Sequence, residues 1–399
     1  MMEVMHEDTL RDATRSGRVL SIDVLRGITI EFMILVNDPG DWAHVYKQLD
    51  HAEWNGWTLT DLVFPNFLFL IGMSLIFSLQ SRIGRGESRS VLARHMVRRA
   101  VILFAIDLFL SGFPHFELGH LRIFGVLTRI ALCYLCAGLI LLGTRRIGFL
   151  AAIAAVLLVG YWVVLRFVPV PGFGVPGRDV PMLDMNRNLT AWMDRGVNAF
   201  LQRTIHTGSL YRGTRDPEGL LSTLPAIATT LLGSIAAQCM RSNKYAPAAK
   251  RNGFAIAGAA CVLVGELWGR SFPINKNMWT SSYVLLAGGF SLLGLALFYS
   301  LVDMERIQER SRVAKAALWP WLVFGSNAIV AYVVSELLAE VLVWVKIPTA
   351  GRSIPAMLWV YSHGFAQGRS TEATSVAFAV CFGRCASSRT GCCGARRSS

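Results

Sequence analysis

Apolar runs of membrane-spanning length recur along this chain, and they limit its fold more than any other feature. A helix of about 20 apolar residues crosses the hydrocarbon core of a bilayer. With 53% hydrophobic and 16% charged residues, the 399-residue chain is too apolar for a soluble enzyme. Barrel strands would alternate polar and apolar residues, so the runs predict an all-α, polytopic transmembrane helix bundle. Nine runs are clear, at residues 20–36, 59–79, 97–113, 123–143, 148–168, 220–240, 253–268, 279–301 and 324–343.

The C-terminal part departs from this pattern. A weaker tenth run begins near Ile354, which makes about ten helices, and a truncated eleventh at residues 374–382 is too short to cross. The segment 383–399 is rich in Cys, Arg, Ser and Gly and is interpreted as an atypical, frameshifted tail. Its cysteines have no accompanying His, so no metal site is expected. We therefore expect an N-terminal segment at 1–18, a transmembrane domain at 19–382 and this tail.

The positive charges indicate how the helices are oriented. The net charge is +13, and the loops after the second, fourth, sixth and eighth runs hold clusters of Arg and Lys, whereas the alternate loops hold few. The positive-inside rule makes the cation-rich side, and with it segment 1–18, cytoplasmic. The long connection at 169–219 then lies outside as a cap. Because the cations are spread between apolar runs, no nucleic-acid partner is expected.

The densest polar cluster joins the first run to the second. His51 is the candidate for acid-base or nucleophilic chemistry, because an imidazole changes protonation near neutral pH. Asp50, Glu53 or Asp61 could fix its tautomer. The same residues also suit a plain surface loop with interfacial tryptophans, in which Asp61 only caps the second helix.

Other polar residues lie at helix ends or within the apolar runs. Arg26 lies three residues after Asp23, so it either pairs with this carboxylate or contacts an anionic cofactor. Asn275 and Lys276 precede the eighth run on the side of His51, where they either anchor the helix or bind substrate or cofactor. Ionisable residues inside the runs indicate a polar interior that suits a transporter as well as an enzyme: Asp107, Arg129, Glu266, Glu336 and Glu340.

Six motifs between Ser21 and about Tyr332 resemble one family. They read SIDVLRGITI, LVNDPGDW, LDHAEWNGWTLTDLVFP, DPEGLLSTLPAIATTLLG, FPINKNMWTSSYVL and FGSNAIVAY. The chain is similar to the heparan-alpha-glucosaminide N-acetyltransferase-like membrane proteins and their bacterial relatives. The resemblance implies that His51, in HAEWNG, is the reactive histidine and that Asn37 is the family's important asparagine.

This resemblance implies an enzyme that moves an acetyl group from cytosolic acetyl-CoA to an amino sugar across the membrane. We expect Asn37 to stabilise the developing oxyanion, Asp50 or Asp61 to orient His51, and Arg26, Asn275 and Lys276 to bind donor or acceptor. The alternative is a transporter, or a transport accessory, for N-acetylglucosamine. The expected partners are a glycan substrate and the lipid bilayer, in a bacterial inner membrane, and a homodimer is left open.

Overall fold

The computed structural model describes residues 19–349 and 352–394, with side chains up to residue 385. The expected N-terminal segment 1–18 and the end of the tail, 395–399, lie outside the described residues. The described helices are α1 (Leu20–Asn37), α2 (Val63–Gly84), α3 (Arg89–Gly112), α4 (Val126–Gly143), α5 (Ile147–Phe167), α6 (Leu189–Ile205), α7 (Thr223–Arg241), α8 (Pro247–Gly269), α9 (Ser281–Phe298), α10 (Ile307–Arg310), α11 (Arg312–Ser326), α12 (Ala328–Trp344), α13 (Ala356–Tyr361) and α14 (Glu372–Gly394). Strands β1 (Lys346–Thr349) and β2 (Arg352–Pro355) pair antiparallel as a hairpin.

The all-α membrane fold is confirmed. Within the described part of the chain, six helices are long and apolar enough to cross a membrane, and the bent pair α11 and α12 makes a seventh. The six are α2, α4, α5, α7, α8 and α9. Helices also form at the first and third predicted runs, but α1 and α3 carry several charged side chains that lower their hydropathy. By length and composition, the spans are therefore fewer than the ten that we predicted.

Three predicted segments differ in the structure. The ninth run was predicted as one helix at 324–343, but α11 and α12 meet at Asn327 with a bend of 86°. The tenth run forms the end of β2, α13 (6 residues) and a π-helical turn at Ser362–Ala366 (5 residues), which together are too short to cross a bilayer. The eleventh run is longer than predicted, because α14 continues from Glu372 to Gly394. The boundary expected at residue 383 therefore lies inside a helix.

Glycines allow the helices around α2 to approach closely. A Cβ atom on Gly72 would collide with the Thr230 carbonyl of α7, and one on Gly233 would collide with the Phe69 carbonyl of α2. Such small residues let neighbouring helix backbones touch, which is a common way of packing helices in membranes. Helix α2 thus lies in the centre of the bundle, where most of its side chains are buried. Its N-terminal end meets the loop before α9, and this meeting point holds the candidate site.

The connection at 169–219 contains α6, a helix that the sequence analysis did not predict. Arg122, before α4, forms salt bridges to Asp216 at 2.6 Å and to Glu218 at 2.5 Å. The Asp216 side chain is fully buried in this pair. These contacts fasten the end of the connection to the bundle next to α7.

Candidate functional site

The candidate site is built around His51 and Asp61. Asp61 lies in a short 3-10 turn that leads into α2, and only 1% of its side chain is exposed. Its carboxylate accepts hydrogen bonds from His51 Nδ1 at 2.8 Å, from the Ala52 N–H at 3.1 Å and from the Thr58 N–H at 3.0 Å. With Nδ1 donating to Asp61, Nε2 carries the lone pair of the imidazole. His51 is therefore oriented for proton transfer or for nucleophilic attack.

Lys276 completes the cluster from a distant part of the chain. Its Nζ atom lies 3.0 Å from His51 Nδ1, 3.2 Å from Nε2 and 3.7 Å from Asp61 Oδ1. Burial lowers the pKa of Lys276 from its usual 10.5, and the nearby Asp61 carboxylate partly opposes this change. A carboxylate, an imidazole and an amine thus share one small site.

Hydrogen bonds join the loop before α9, which carries Lys276, to the loop before α2, which carries His51. Asn275 is fully buried, and its Nδ2 donates to Asn55 Oδ1 at 3.2 Å while its Oδ1 accepts from the Met278 N–H at 2.9 Å. The Gly56 N–H donates to the Ile274 carbonyl at 2.8 Å. Asn275 Nδ2 and the Gly56 N–H therefore hold the loop of Lys276 against the loop of His51, while Asn275 Oδ1 shapes the loop of Lys276 itself.

Asp50 and Asn37, which were also predicted as site residues, make other contacts than with the His51 ring. Asp50 accepts a hydrogen bond from the backbone N–H of His51 at 2.7 Å, so it shapes the loop and does not hold the imidazole. Asn37, at the end of α1, donates to Glu336 of α12 at 3.5 Å. No contact recorded among the described residues joins Asn37 to His51. The structure thus brings Asp61 and Lys276 to the imidazole.

Similar proteins point to one activity class. Residues 18–185 match the family model described as heparan-alpha-glucosaminide N-acetyltransferase, catalytic. The heparan-alpha-glucosaminide N-acetyltransferase of Homo sapiens is 28% identical over 381 residues, which cover 82% of this chain and 54% of the human protein. The Mus musculus protein of the same name is 28% identical over 373 residues, which cover 81% and 54%. The chain is therefore similar to the heparan-alpha-glucosaminide N-acetyltransferases over most of its length. It spans about half the length of the curated relatives that it matches.

Arg26 borders a cavity of about 360 Å³. Its guanidinium donates to the Gly325 carbonyl at 2.9 Å and to Ser74 Oγ at 2.7 Å, and it pairs with Asp23 at 3.1 Å. Phe67 of α2 also lines this cavity. Because Phe67 follows Asp61 by six residues, the cavity begins about 9 Å along the helix axis from the His51 cluster.

A second cavity of about 230 Å³ adjoins the first, and Arg99 and Tyr134 line both. Three further basic side chains line the second cavity: Arg82, His95 and Arg98. Asp61 and Arg82 lie at opposite ends of α2, about 30 Å apart along its axis. The second cavity therefore lies at the opposite end of the central helix from the site cluster, and the larger cavity lies between them along α2.

Sequence reasoning missed three residues that pack next to the His51 cluster: Arg129, Trp279 and Tyr283. The Arg129 guanidinium lies 5.0 Å from the ring centre of Trp279, and Nη2 of Arg129 donates to the Gly219 carbonyl at 3.2 Å. Trp279 packs edge-on against Tyr283, whose hydroxyl donates to the Asp61 carbonyl. Arg129 was noted only as a charged residue in an apolar run. Its distant partners leave no signal in the local sequence.

Proposed function

We propose that this chain transfers the acetyl group of acetyl-CoA from the cytosolic side to the amine of an amino sugar or glycan on the periplasmic or lumenal side. The observation that carries the proposal is the bond between His51 Nδ1 and the buried Asp61 carboxylate, with Lys276 Nζ beside the ring. Similarity to proteins named N-acetyltransferases supports it. A bacterial inner membrane with a cytoplasmic N-terminus is part of the same proposal.

The basic cavities fit the donor. Guanidinium groups bind phosphate oxygens through paired, charge-assisted hydrogen bonds. Arg26 and Arg99 line the larger cavity, and Arg82 and Arg98 line its neighbour, so phosphates have several cations within the two cavities. Acetyl-CoA would supply an activated acyl thioester, and among the α2 residues that line the larger cavity Phe67 lies nearest to Asp61 in the sequence.

His51 would act at the reacting amine. Its Nε2 takes a proton from the acceptor as the amine nitrogen attacks the thioester carbonyl carbon. The C–N bond forms, the C–S bond breaks, and the departing thiolate receives the proton that His51 took from the amine. Lys276 Nζ, 3.2 Å from Nε2, lies where it stabilises negative charge that develops on the carbonyl oxygen.

Covalent transfer through His51 is the other mechanism that the cluster supports. In that route Nε2 attacks the thioester carbon, and the acceptor amine then removes the acetyl group from the imidazole. Both routes need the Nδ1–H tautomer of His51 that Asp61 selects, so substitutions of His51 and Asp61 test both.

Purified protein incubated with radiolabelled acetyl-CoA and a panel of amino sugars tests the activity. We expect labelled N-acetyl sugar from the wild type and none from His51→Ala. His44→Ala is the matched control, because His44 lies in the same loop but pairs with Asp41 at 2.8 Å. Full activity in His51→Ala would refute the role of His51. Uptake of unmodified sugar into proteoliposomes, independent of acetyl-CoA, would show that the chain is a transporter and not an enzyme.

A further inference from the structure

A third cavity, of about 460 Å³, opens at the cation-rich end of the helix bundle. Its volume lies within the usual range of small-molecule sites, about 300–1,000 Å³. It is lined by Gln80 of α2, Arg89 of α3, Gly143 of α4, and Arg145 and Arg146 in the link to α5. Three guanidinium groups therefore surround one concave surface, and none of its described lining residues is acidic.

The three arginines of this cavity have no partner inside the protein. Their side chains form no hydrogen bond and no salt bridge with another described residue. Glu87, two residues before the first of them, already pairs with Arg82 and Arg85, each at 3.5 Å. Like charges that share one concavity repel each other, so an anion between them is strongly favoured.

The start of α5 adds backbone donors to the same place. Arg146 immediately precedes the first turn of this helix, and no side chain caps that turn. The first N–H groups of an α-helix have no acceptor within the helix and favour a negatively charged ligand. Guanidinium and backbone donors thus lie together at the edge of the cavity.

This cavity is separate from the two cavities proposed for the donor. Gln80 follows Ser78, which lines both of those, by two residues, or about 200° around α2. Gln80 therefore lies on nearly the opposite side of the central helix. Among the described residues, none that lines the third cavity also lines either of the others. Its ligand is therefore not the acyl donor.

The surface beside the cavity is apolar. In the first turn of α5, Ile147 is 42% exposed and Phe149 is 57% exposed, and Val156 continues this surface two turns further along. Helix α5 is one of the candidate membrane spans, and most of its side chains point away from the bundle. A ligand with a charged head and an apolar tail matches cations at the helix start and an apolar face below them.

We propose that the third cavity binds the phosphate headgroup of an anionic phospholipid, with the acyl chains lying along α5. Guanidinium groups hold phosphate oxygens with paired N–H donors, and basic pockets between the ends of membrane-spanning helices suit such headgroups. In the orientation proposed above, the lipid belongs to the cytoplasmic leaflet. The proposal concerns binding alone and does not depend on acetyl transfer.

Lipid binding by the purified full chain in detergent tests the site. The protein is titrated with phosphatidylglycerol, cardiolipin and phosphatidylcholine, and bound lipid is measured by native mass spectrometry. The wild type should bind both anionic lipids at least about tenfold more tightly than phosphatidylcholine. Arg89→Gln, Arg145→Gln and Arg146→Gln should each weaken binding of the anionic lipids about fivefold. Arg312→Gln, in another cation-rich loop and lining none of the three cavities, should not.

Soluble competitors distinguish a lipid from other phosphates. Inorganic phosphate, glycerol phosphate and CoA should not displace phosphatidylglycerol at equal concentration, because they lack the acyl chains. Displacement by inorganic phosphate or glycerol phosphate would make this a site for soluble phosphate and overturn the lipid. Displacement by CoA, with weaker CoA binding in Arg145→Gln, would assign the cavity to the donor. Equal binding of phosphatidylglycerol and phosphatidylcholine would refute an anion site altogether.

Two further variants separate the cavity from general surface charge. A Cβ on Gly143 would meet no atom within 4 Å, so Gly143→Leu should keep the Tm of the wild type while its side chain fills the cavity. Binding of phosphatidylglycerol should fall although every arginine remains. Arg145→Lys keeps the charge without the planar donor pair, so its affinity should lie between those of the wild type and Arg145→Gln. Unchanged binding in Gly143→Leu would show that diffuse surface charge, and not the cavity, holds the lipid.

Discussion

The carboxylate of Asp61 lies 2.8 Å from Nδ1 of His51, and the two side chains differ sharply in exposure. Only 1% of the Asp61 side chain is exposed, against 43% for His51. The buried carboxylate is held by two backbone N–H groups, whereas the imidazole is accessible on its other side. The fixed Asp61 carboxylate therefore orients a solvent-accessible imidazole, which is the arrangement that proton transfer to a substrate requires.

Replacing Asp61 tests this orientation. Asp61→Asn keeps the shape of the side chain but removes the charge that selects the Nδ1–H tautomer, so we expect the acetyl-transfer rate to fall about 10²–10⁴-fold. Asp50→Asn is the control, since the Asp50 carboxylate accepts from the backbone N–H of His51 and not from its imidazole. Its rate should stay within about threefold of the wild type. Equal losses in both variants would show that the loop as a whole, and not Asp61, orients the imidazole.

The lowered pKa of Lys276 predicts an effect of pH on the rate. As pH rises, Nζ loses its charge below the usual 10.5, because burial disfavours the ammonium. If the charged form stabilises the oxyanion, kcat of the wild type falls on the alkaline side with a midpoint below 10.5. Lys276→Arg stays charged, so its alkaline loss should move to higher pH or disappear.

Lys276→Met provides the complementary measurement. This variant has no charge at any pH, so kcat should be low across the whole range and the alkaline step should vanish. An unchanged alkaline step in Lys276→Met would assign that step to another group.

Asn275 links the stability of the site to its activity. Asn275→Ala leaves the Met278 N–H and Asn55 without their partner, which should cost about 1–3 kcal/mol and displace Lys276 from His51. We expect a lower Tm and a lower kcat together. Asn277→Ala, in the same loop but less buried, should leave both near the wild type. A normal kcat in Asn275→Ala would mean that Lys276 does not depend on this loop geometry.

Arg26 tests the donor cavity. Arg26→Gln should raise KM for acetyl-CoA about tenfold and leave kcat at saturation nearly unchanged, because a charge-assisted contact to a phosphate is lost before the reaction. Arg85→Gln is the control, since the Arg85 side chain is 64% exposed and lines neither cavity. An unchanged KM in Arg26→Gln would leave Arg26 as a partner of Asp23 and Gly325 only.

Hydropathy predicted the class of fold well and the number of spans less well. The first eight apolar runs each became a helix, because a helix satisfies its backbone hydrogen bonds within its own segment. The bend at Asn327 was not predicted, since it depends on how α11 packs against α1, where a Cβ on Gly325 would collide with the Asp23 carbonyl. Helix α6 was also missed, because Pro, Gly and charged residues around it suggested an irregular loop.

The sequence by itself determined that this chain has helices suited to a membrane and that His51 lies in a polar cluster before α2, because hydropathy and motifs depend on neighbouring residues. It left three carboxylates as partners for the imidazole. The tertiary structure alone placed Asp61 on Nδ1, brought Lys276 to the ring across 225 residues and packed the Arg215 guanidinium over the Trp54 ring. Such contacts are set by helix packing, which joins residues far apart in the chain, and no local pattern records them.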